Sequence, residues 1–194
     1  MKTLIRNCFA FLSILLLQAC TIAVNNIRDP LPSNGPAPKN PCNIEYSLVI
    51  DSAAFTNTLG KDNTEDAQIE KIKSKYINST NEALQSIGCQ SAYTNDQKSS
   101  DFIISIKRQL YFSALPQEWL TGLSFGLIPS WGTRPEQYVY SFKNKIDGKS
   151  HSYIVDVKSY NHIILFPVSW ITLITADEYR TYKKALINFV KNSG

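Results

Sequence analysis

The chain has 194 residues, with 20 basic and 16 acidic side chains and a formal net charge of +4. Without residues 1–19, which contain Lys2, Arg6 and no acidic residue, 18 basic side chains would face 16 acidic ones, a net charge of +2. So balanced a charge argues against nucleic-acid binding. The remaining length is sufficient for one domain with a hydrophobic core.

The first twenty residues have the pattern of an export signal. Lys2 and Arg6 precede the apolar run Phe9–Leu17. As a helix this run would rise only ~14 Å, whereas the hydrocarbon layer of a bilayer is ~30 Å thick. We therefore expect residues 1–19 to be a cleaved signal peptide rather than a membrane span. The alternative is a buried apolar N-terminal helix with an ordinary cysteine.

The signal-like segment ends in Leu17-Gln18-Ala19-Cys20, which resembles the lipobox of bacterial lipoproteins. The resemblance implies that the thiol of Cys20 receives a diacylglycerol, that the chain is cut before it, and that the new amine is acylated, for example with palmitate. Two or three acyl chains would anchor the protein stably. Thr21 occupies the position where many such lipoproteins carry an aspartate for inner-membrane retention. It thus favours the outer membrane, with the domain facing the periplasm.

Residues 20–42 are predicted to be a lipidated tether, followed by a single α/β periplasmic domain over residues 43–194. Five of the nine prolines of the chain lie in this tether, namely Pro30, Pro32, Pro36, Pro38 and Pro41. Such a composition favours extended polyproline II and would hold the domain up to ~60 Å from the bilayer. A disordered linker would serve the same purpose.

Cys42 and Cys89 are the two cysteines left after processing. In an oxidising periplasm they favour a disulfide, with two buried thiols or a metal pair as alternatives. A metal site would need four ligands, and the spacing of His151 and His162 suggests none with either cysteine. No metal or cofactor is therefore predicted.

The periodicity of the chain predicts alternating strands and helices. Residues 44–50 suit a strand, residues 64–87 an amphipathic helix, and residues 101–112 a strand with Arg108 as an exception on its apolar face. Arg108 could pair with a buried carboxylate, lie at an edge, or show that the register is misjudged. A strand around residues 138–142, a turn at Asp147-Gly148, a return strand at 152–160 and a helix at 176–191 complete the pattern.

This order predicts an α+β fold, with an antiparallel or mixed sheet of about four to five strands and two helices packed on it. Two uncharged segments, Trp119–Trp131 and Ile163–Ile174, interrupt the pattern. They suit core, a membrane contact or a protein interface, since tryptophans near their ends are typical of interfacial segments. The candidate contact residues are Trp119, Leu123, Phe125, Leu127, Trp131, Phe166 and Trp170. The first segment also resembles segments of uncharacterised bacterial lipoproteins, from which no activity can be transferred.

The sequence lacks the motifs of several common catalytic and phosphate-binding sites. The sequence has no His-Glu-x-x-His, Cys-x-x-Cys, phosphate-loop or Gly-x-Ser-x-Gly motif. Ser150 and Ser152 neighbour His151, but neighbours in a strand point to opposite faces. We therefore expect a non-enzymatic lipoprotein that presents its domain to an envelope protein partner. The alternative is an oligomerising, membrane-inserting component of a secretion or pore-type device; the oligomeric state itself is not predicted.

Overall fold

The computed structural model describes residues 21–28, 42–51, 65–110, 120, 123–124, 128–161 and 177–193. These residues form an α+β fold, as predicted, with six strands instead of four to five. The elements are β1 (Thr21–Ile27), β2 (Cys42–Ile50), α1 (Glu65–Ser86), β3 (Cys89–Tyr93), β4 (Phe102–Leu110), β5 (Ser130–Asn144), β6 (Ser150–Asn161) and α2 (Glu178–Ser193). The strands form one sheet in the order β1-β6-β5-β4-β2-β3.

The chain divides into two compact units. The first comprises Met1–Asn26, Tyr111–Pro135 and Val157–Asp177, and the second comprises Ile27–Leu110, Glu136–Asp156 and Glu178–Gly194. Neither α1 nor α2, the two complete helices in the described part of the chain, has the length and apolar character needed to cross a bilayer.

In the second unit, β2, α1 and β3 form a β-α-β arrangement. β2 pairs in parallel with β3, from Cys42 opposite Cys89 to Tyr46 opposite Tyr93. On its other side β2 pairs in parallel with β4, with Tyr46 opposite Phe102. Gly88 ends the turn after α1 with a φ of 82°, a conformation that glycine adopts without a steric penalty.

The predicted disulfide is present in the structure. It joins Cys42 and Cys89, whose Cα atoms lie 4.6 Å apart at the first positions of β2 and β3. The two cysteines meet because α1 leads from β2 into β3, and β3 lies beside β2 with Cys42 opposite Cys89.

The core lies on one face of the sheet, where the alternate residues of β2, β4 and β5 meet α1 and α2. Tyr46 donates a hydrogen bond to the carbonyl oxygen of Ile77 at 3.2 Å, which joins β2 to α1. The ring of Phe142 stacks on Phe189 of α2 at 5.5 Å between centroids. The largest fully buried side chains of the sheet are Tyr46, Ile104, Ile106, Tyr140, Phe142, Tyr153 and Val155.

The turn between β5 and β6 is the one that the sequence predicts. Asp147 accepts a hydrogen bond from the backbone N–H of Lys149 at 2.9 Å, and Gly148 has a φ of 70°. An aspartate that hydrogen-bonds two residues ahead and a glycine in the left-handed region are the usual components of such a turn.

The N-terminal part of the predicted tether differs from expectation. Residues 21–27 form β1, which pairs with β6 at one edge of the sheet. The sequence prediction missed this strand because Thr21–Ile27 contains two asparagines and directly follows the signal-like segment. Residues 29–41, which contain all five of the prolines, lie outside the described residues.

Candidate functional site

Most of the predicted contact residues lie outside the described part of the chain. This applies to Cys20, Trp119, Phe125, Leu127, Phe166 and Trp170. Trp131 lies in β5, but the structure describes only its backbone. Leu123 is described, and 75% of its surface is exposed.

Leu123 has two exposed apolar neighbours in its segment. Leu120 is 49% exposed and Ile128 is 45% exposed. Local hydrogen bonds hold this part of the chain: the N–H of Ser124 donates to the carbonyl of Leu120 at 2.9 Å, and the N–H of Ile128 donates to the Ser124 hydroxyl at 3.0 Å. We call Leu120, Leu123 and Ile128 the apolar patch, and it belongs to the first unit.

Arg108, the exception in the alternating pattern of β4, pairs with a partly buried carboxylate. Its Nε donates to Oε1 of Glu136 at 2.6 Å, and the hydroxyl of Tyr138 donates to the same oxygen at 2.6 Å. The register explains the meeting, since Arg108 lies opposite Tyr138 and Leu110 lies opposite Glu136. The predicted register of β4 is therefore correct. Sequence analysis missed Glu136, because it lies 28 positions from Arg108 and in a different strand.

Three tyrosines lead from this pair into the core: Tyr138, which bonds Glu136, then Tyr140, whose ring stacks on that of Tyr138, and Tyr76. Burial, with the nearby carboxylates of Glu178 and Glu136, raises the pKa of Tyr138 far above its usual value. Burial is also the largest cause of the raised pKa of Tyr76 and of Tyr140. These phenols therefore stay protonated at neutral pH and can donate a hydrogen bond, but they cannot act as general bases.

The second face of the sheet, opposite α1 and α2, is polar. We call it the open face and define it by the outward residues of β4, β5 and β6. Ser141 and Ser152 share a hydrogen bond of 2.7 Å across it, and Gln137 donates to Asp156 at 2.7 Å. Lys107 and Lys143 are exposed on this face. Its outward residues from the three strands are Ile103, Ser105, Lys107, Gln109, Gln137, Val139, Ser141, Lys143, Ser152, Ile154 and Asp156.

Asp156 on this face is held by an arginine that follows β1. Arg28 donates from Nη2 to Oδ1 at 2.8 Å and from Nε to Oδ2 at 3.0 Å. This two-point geometry fixes the planar guanidinium against the carboxylate. Asp156 is thereby engaged in binding Arg28 and Gln137.

The two histidines of the chain, His151 and His162, were the other titratable residues considered in the sequence. The ring of His151 contacts Tyr153 at 4.5 Å between centroids, and its buried Nε2 has no hydrogen-bond partner within the described part of the chain. His162 lies outside the described residues. In the part of the chain that the structure describes, no group of three or more His, Cys, Asp or Glu side chains could hold a metal ion.

Comparison with known proteins gives little further information. No protein-family model and no curated protein sequence matches the chain. Among solved structures, the chain is similar to the PelC dodecamer from Paraburkholderia phytofirmans and to a leucine-to-methionine variant of that dodecamer. Both comparisons cover 89% of this chain and 97% of the PelC chain, with 5% sequence identity and a TM-score of 0.33. These values are too low to carry an argument about function or assembly.

Proposed function

We propose that this chain is an envelope lipoprotein that is anchored in the outer membrane through Cys20 and binds another envelope protein through its periplasmic α+β domain. The observation that carries the proposal is the disulfide between Cys42 and Cys89. Disulfides persist in oxidising compartments such as the periplasm and are rare in the cytosol. The disulfide therefore supports export, and the lipobox-like run Leu17–Cys20 supports lipidation at the end of that export.

The open face is the surface that we propose for partner binding. It combines exposed lysines, Lys107 and Lys143, with the half-buried apolar residues Val139 and Ile154. Non-obligate protein interfaces have a similar mixture of polar and apolar area. The role requires no catalytic group, metal or cofactor.

Lipidation is tested on protein purified from the envelope. We expect mass spectrometry to find a mature N-terminus at Cys20 with a diacylglycerol and an amide-linked acyl chain, and to find Cys42 and Cys89 joined. The Cys20→Ala variant should lose the acyl groups and leave the membrane fraction. An unacylated N-terminus with free thiols at Cys42 and Cys89 would contradict export and lipidation together.

Partner binding is tested by photocrosslinking in the intact envelope. A crosslinking residue replaces Lys143 on the open face, and the matched control replaces Lys184, an exposed lysine on α2. We expect a discrete adduct with an envelope protein from position 143 and none from position 184. Equal adducts from both positions, or adducts from position 184 alone, would exclude the open face as the binding surface.

A second candidate function is an oligomerising, membrane-inserting component of a secretion or pore-type device. The exposed apolar patch favours it, because burying one leucine side chain in an apolar phase contributes about 1.5–3 kcal/mol. The test is liposome flotation of the unlipidated chain from Thr21 onward, compared with a Trp119→Ser, Trp170→Ser variant. Flotation that the variant loses, with sedimentation as a ring-sized species, would support this candidate. A folded monomer that stays in the aqueous fraction would exclude it.

A further inference from the structure

The chain enters the sheet immediately after the proposed lipidation site. Thr21 follows Cys20 and is the first residue of β1. Ala23, the third residue of the strand, is fully buried. At the other end of the strand, the N–H of Arg28 donates to the carbonyl of Ile154 at 2.8 Å. No residue is therefore left between Cys20 and the first strand to act as a spacer.

The proline-rich residues 29–41 come after β1 in the sequence and not between β1 and the proposed lipid anchor at Cys20. They follow Arg28 and precede Cys42, so a strand of the same sheet lies at each end of them. A tether increases the reach of a domain only when it separates the domain from its anchor. A segment with both ends held in one sheet is a connection between strands and adds nothing to that reach.

We infer that the phospholipid leaflet holding the acyl chains of Cys20 lies directly against this domain, at the end of the sheet where β1 begins. The inference rests on the proposed lipidation of Cys20. A seven-residue strand spans about 23 Å. Every residue of β1 therefore lies within that distance of the lipid attachment point, compared with the ~60 Å of a proline-rich tether.

The exposed residues of the first unit suit contact with a leaflet. The apolar patch of Leu120, Leu123 and Ile128 belongs to the same compact unit as Thr21–Asn26. The same unit includes Lys158 and Tyr160 of β6, which are exposed. Leucine side chains insert among acyl chains, while tyrosine and lysine place an apolar stem in the interface and a polar end in water. This combination suits the headgroup and acyl regions of a leaflet, and the lipid attachment at Cys20 makes that leaflet the occupant we commit to.

The test measures the distance between the domain and the leaflet in the full lipidated protein. A fluorescent donor is attached at Lys158→Cys, and acceptor lipids are placed in vesicles of phosphatidylethanolamine and phosphatidylglycerol. One variant carries a flexible Gly-Ser insertion of about 12 residues, which adds roughly 20 Å, between Cys20 and Thr21, with a threonine kept next to the cysteine. The matched control carries the same insertion between Gly35 and Pro36.

We expect the insertion before Thr21 to lower energy transfer about twofold, in line with the added length, and the insertion after Gly35 to leave it unchanged. A loss with the control insertion alone, or no change with either insertion, would overturn the inference. An N-terminus without acyl groups, seen by mass spectrometry of the same sample, would overturn the proposed lipidation and the inference with it.

A second measurement needs no insertion. A fluorophore at Leu123→Cys in the lipidated protein should be quenched by lipids that carry a quencher near the headgroup and protected from an aqueous quencher. The Cys20→Ala variant with the same label supplies the reference for a water-exposed fluorophore. Equal access of the aqueous quencher in both proteins, on a chain shown to be lipidated, would overturn the leaflet contact while leaving the lipid anchor intact.

Discussion

The hydroxyl of Tyr182 donates a hydrogen bond to Oγ1 of Thr80 at 2.7 Å, and this bond joins α2 to α1 within the core. The direction follows from the second bond of Thr80, whose single hydroxyl proton goes to the carbonyl of Tyr76 at 2.8 Å. Both side chains are fully buried. Thr80 is therefore a polar link between the two helices.

Because Tyr182 is the donor and Thr80 the acceptor, substitutions at the two residues should lower the free energy of unfolding by different amounts. Tyr182→Phe leaves the Thr80 proton satisfied and should lower the free energy of unfolding by about 0.5–1.5 kcal/mol. Thr80→Val leaves the buried Tyr182 hydroxyl without an acceptor and should cost about 1–3 kcal/mol. Urea denaturation of the unlipidated chain from Thr21 onward measures both. An equal or reversed order would contradict the assigned donor.

The Arg108–Glu136 pair should contribute more to stability than an exposed pair does. Replacing Arg108 with Gln leaves the partly buried Glu136 with only the Tyr138 hydroxyl, and we expect a loss of about 1–3 kcal/mol. The matched control is Lys183→Gln, which breaks the more exposed pair with Glu82 and should cost less than about 0.5 kcal/mol. Urea denaturation again provides the measurement. Similar losses for the two variants would show that Arg108 contributes only as a surface charge.

The disulfide should account for a large part of the stability of the second unit. It closes a loop with a sequence separation of 47 residues. Replacing both Cys42 and Cys89 with alanine should therefore lower the free energy of unfolding by about 2–4 kcal/mol. Reduction of the unmodified protein should have a similar effect, and the double variant should not respond to the reductant. If the reductant also lowered the free energy of unfolding of the double variant, the loss would have a cause other than the disulfide.

Tyr153 provides a test of pH dependence. Burial raises the pKa of Tyr153 to about 12 from an ordinary value of 10, so the folded chain keeps this proton where the unfolded chain has lost it. The contribution is fully present below pH ~10 and is lost as the pH rises towards ~12. Unfolding free energies measured from neutral pH into this range should fall with a shallower slope for Tyr153→Phe than for the unmodified chain.

The same substitution should be tolerated at neutral pH. Among the residues that the structure describes, the buried hydroxyl of Tyr153 has no hydrogen-bond partner. Removing it spares the cost of desolvating an unpaired group, so we expect Tyr153→Phe to leave the free energy of unfolding unchanged or raise it by about 1 kcal/mol. Tyr182→Phe is the control, since its hydroxyl is paired. A loss at Tyr153 as large as at Tyr182 would indicate a hydrogen bond that the structure does not contain.

Local sequence patterns predicted the elements whose periodicity is strong. The three- and four-residue spacing of Ile69, Ile72, Tyr76 and Leu84, with Thr80 filling the gap between the last two, predicted a helix over residues 64–87, and α1 covers Glu65–Ser86. Alternation likewise predicted β4, and the aspartate–glycine pair predicted the turn before β6. These elements depend on residues that are close to one another in the chain, so their pattern is visible in the sequence.

The features that sequence analysis missed depend on distant pairing. β3, Cys89–Tyr93, has the sequence CQSAY with little alternation, and it becomes a strand because β2 lies beside it. The alternating pattern marks Arg108 as an exception in β4, but its partner Glu136 in β5 follows only from the register of the two strands. The pairing of β1 with β6 could not be read from the proline-rich composition that follows β1, because composition does not show where the two ends of a segment are held.

The pairing of the first and sixth strands also sets an order of folding. Arg28 and Asp156 are 128 positions apart, whereas β2, α1 and β3 form a unit from consecutive residues. Contacts between distant residues form late because loop closure costs entropy. A chain that emerges from its N-terminus would thus complete the β2–α1–β3 unit first and hold β1 unpaired until β6 has followed. During that interval β1 is a strand without its partner, which makes it the place where two unfinished chains are most at risk of joining.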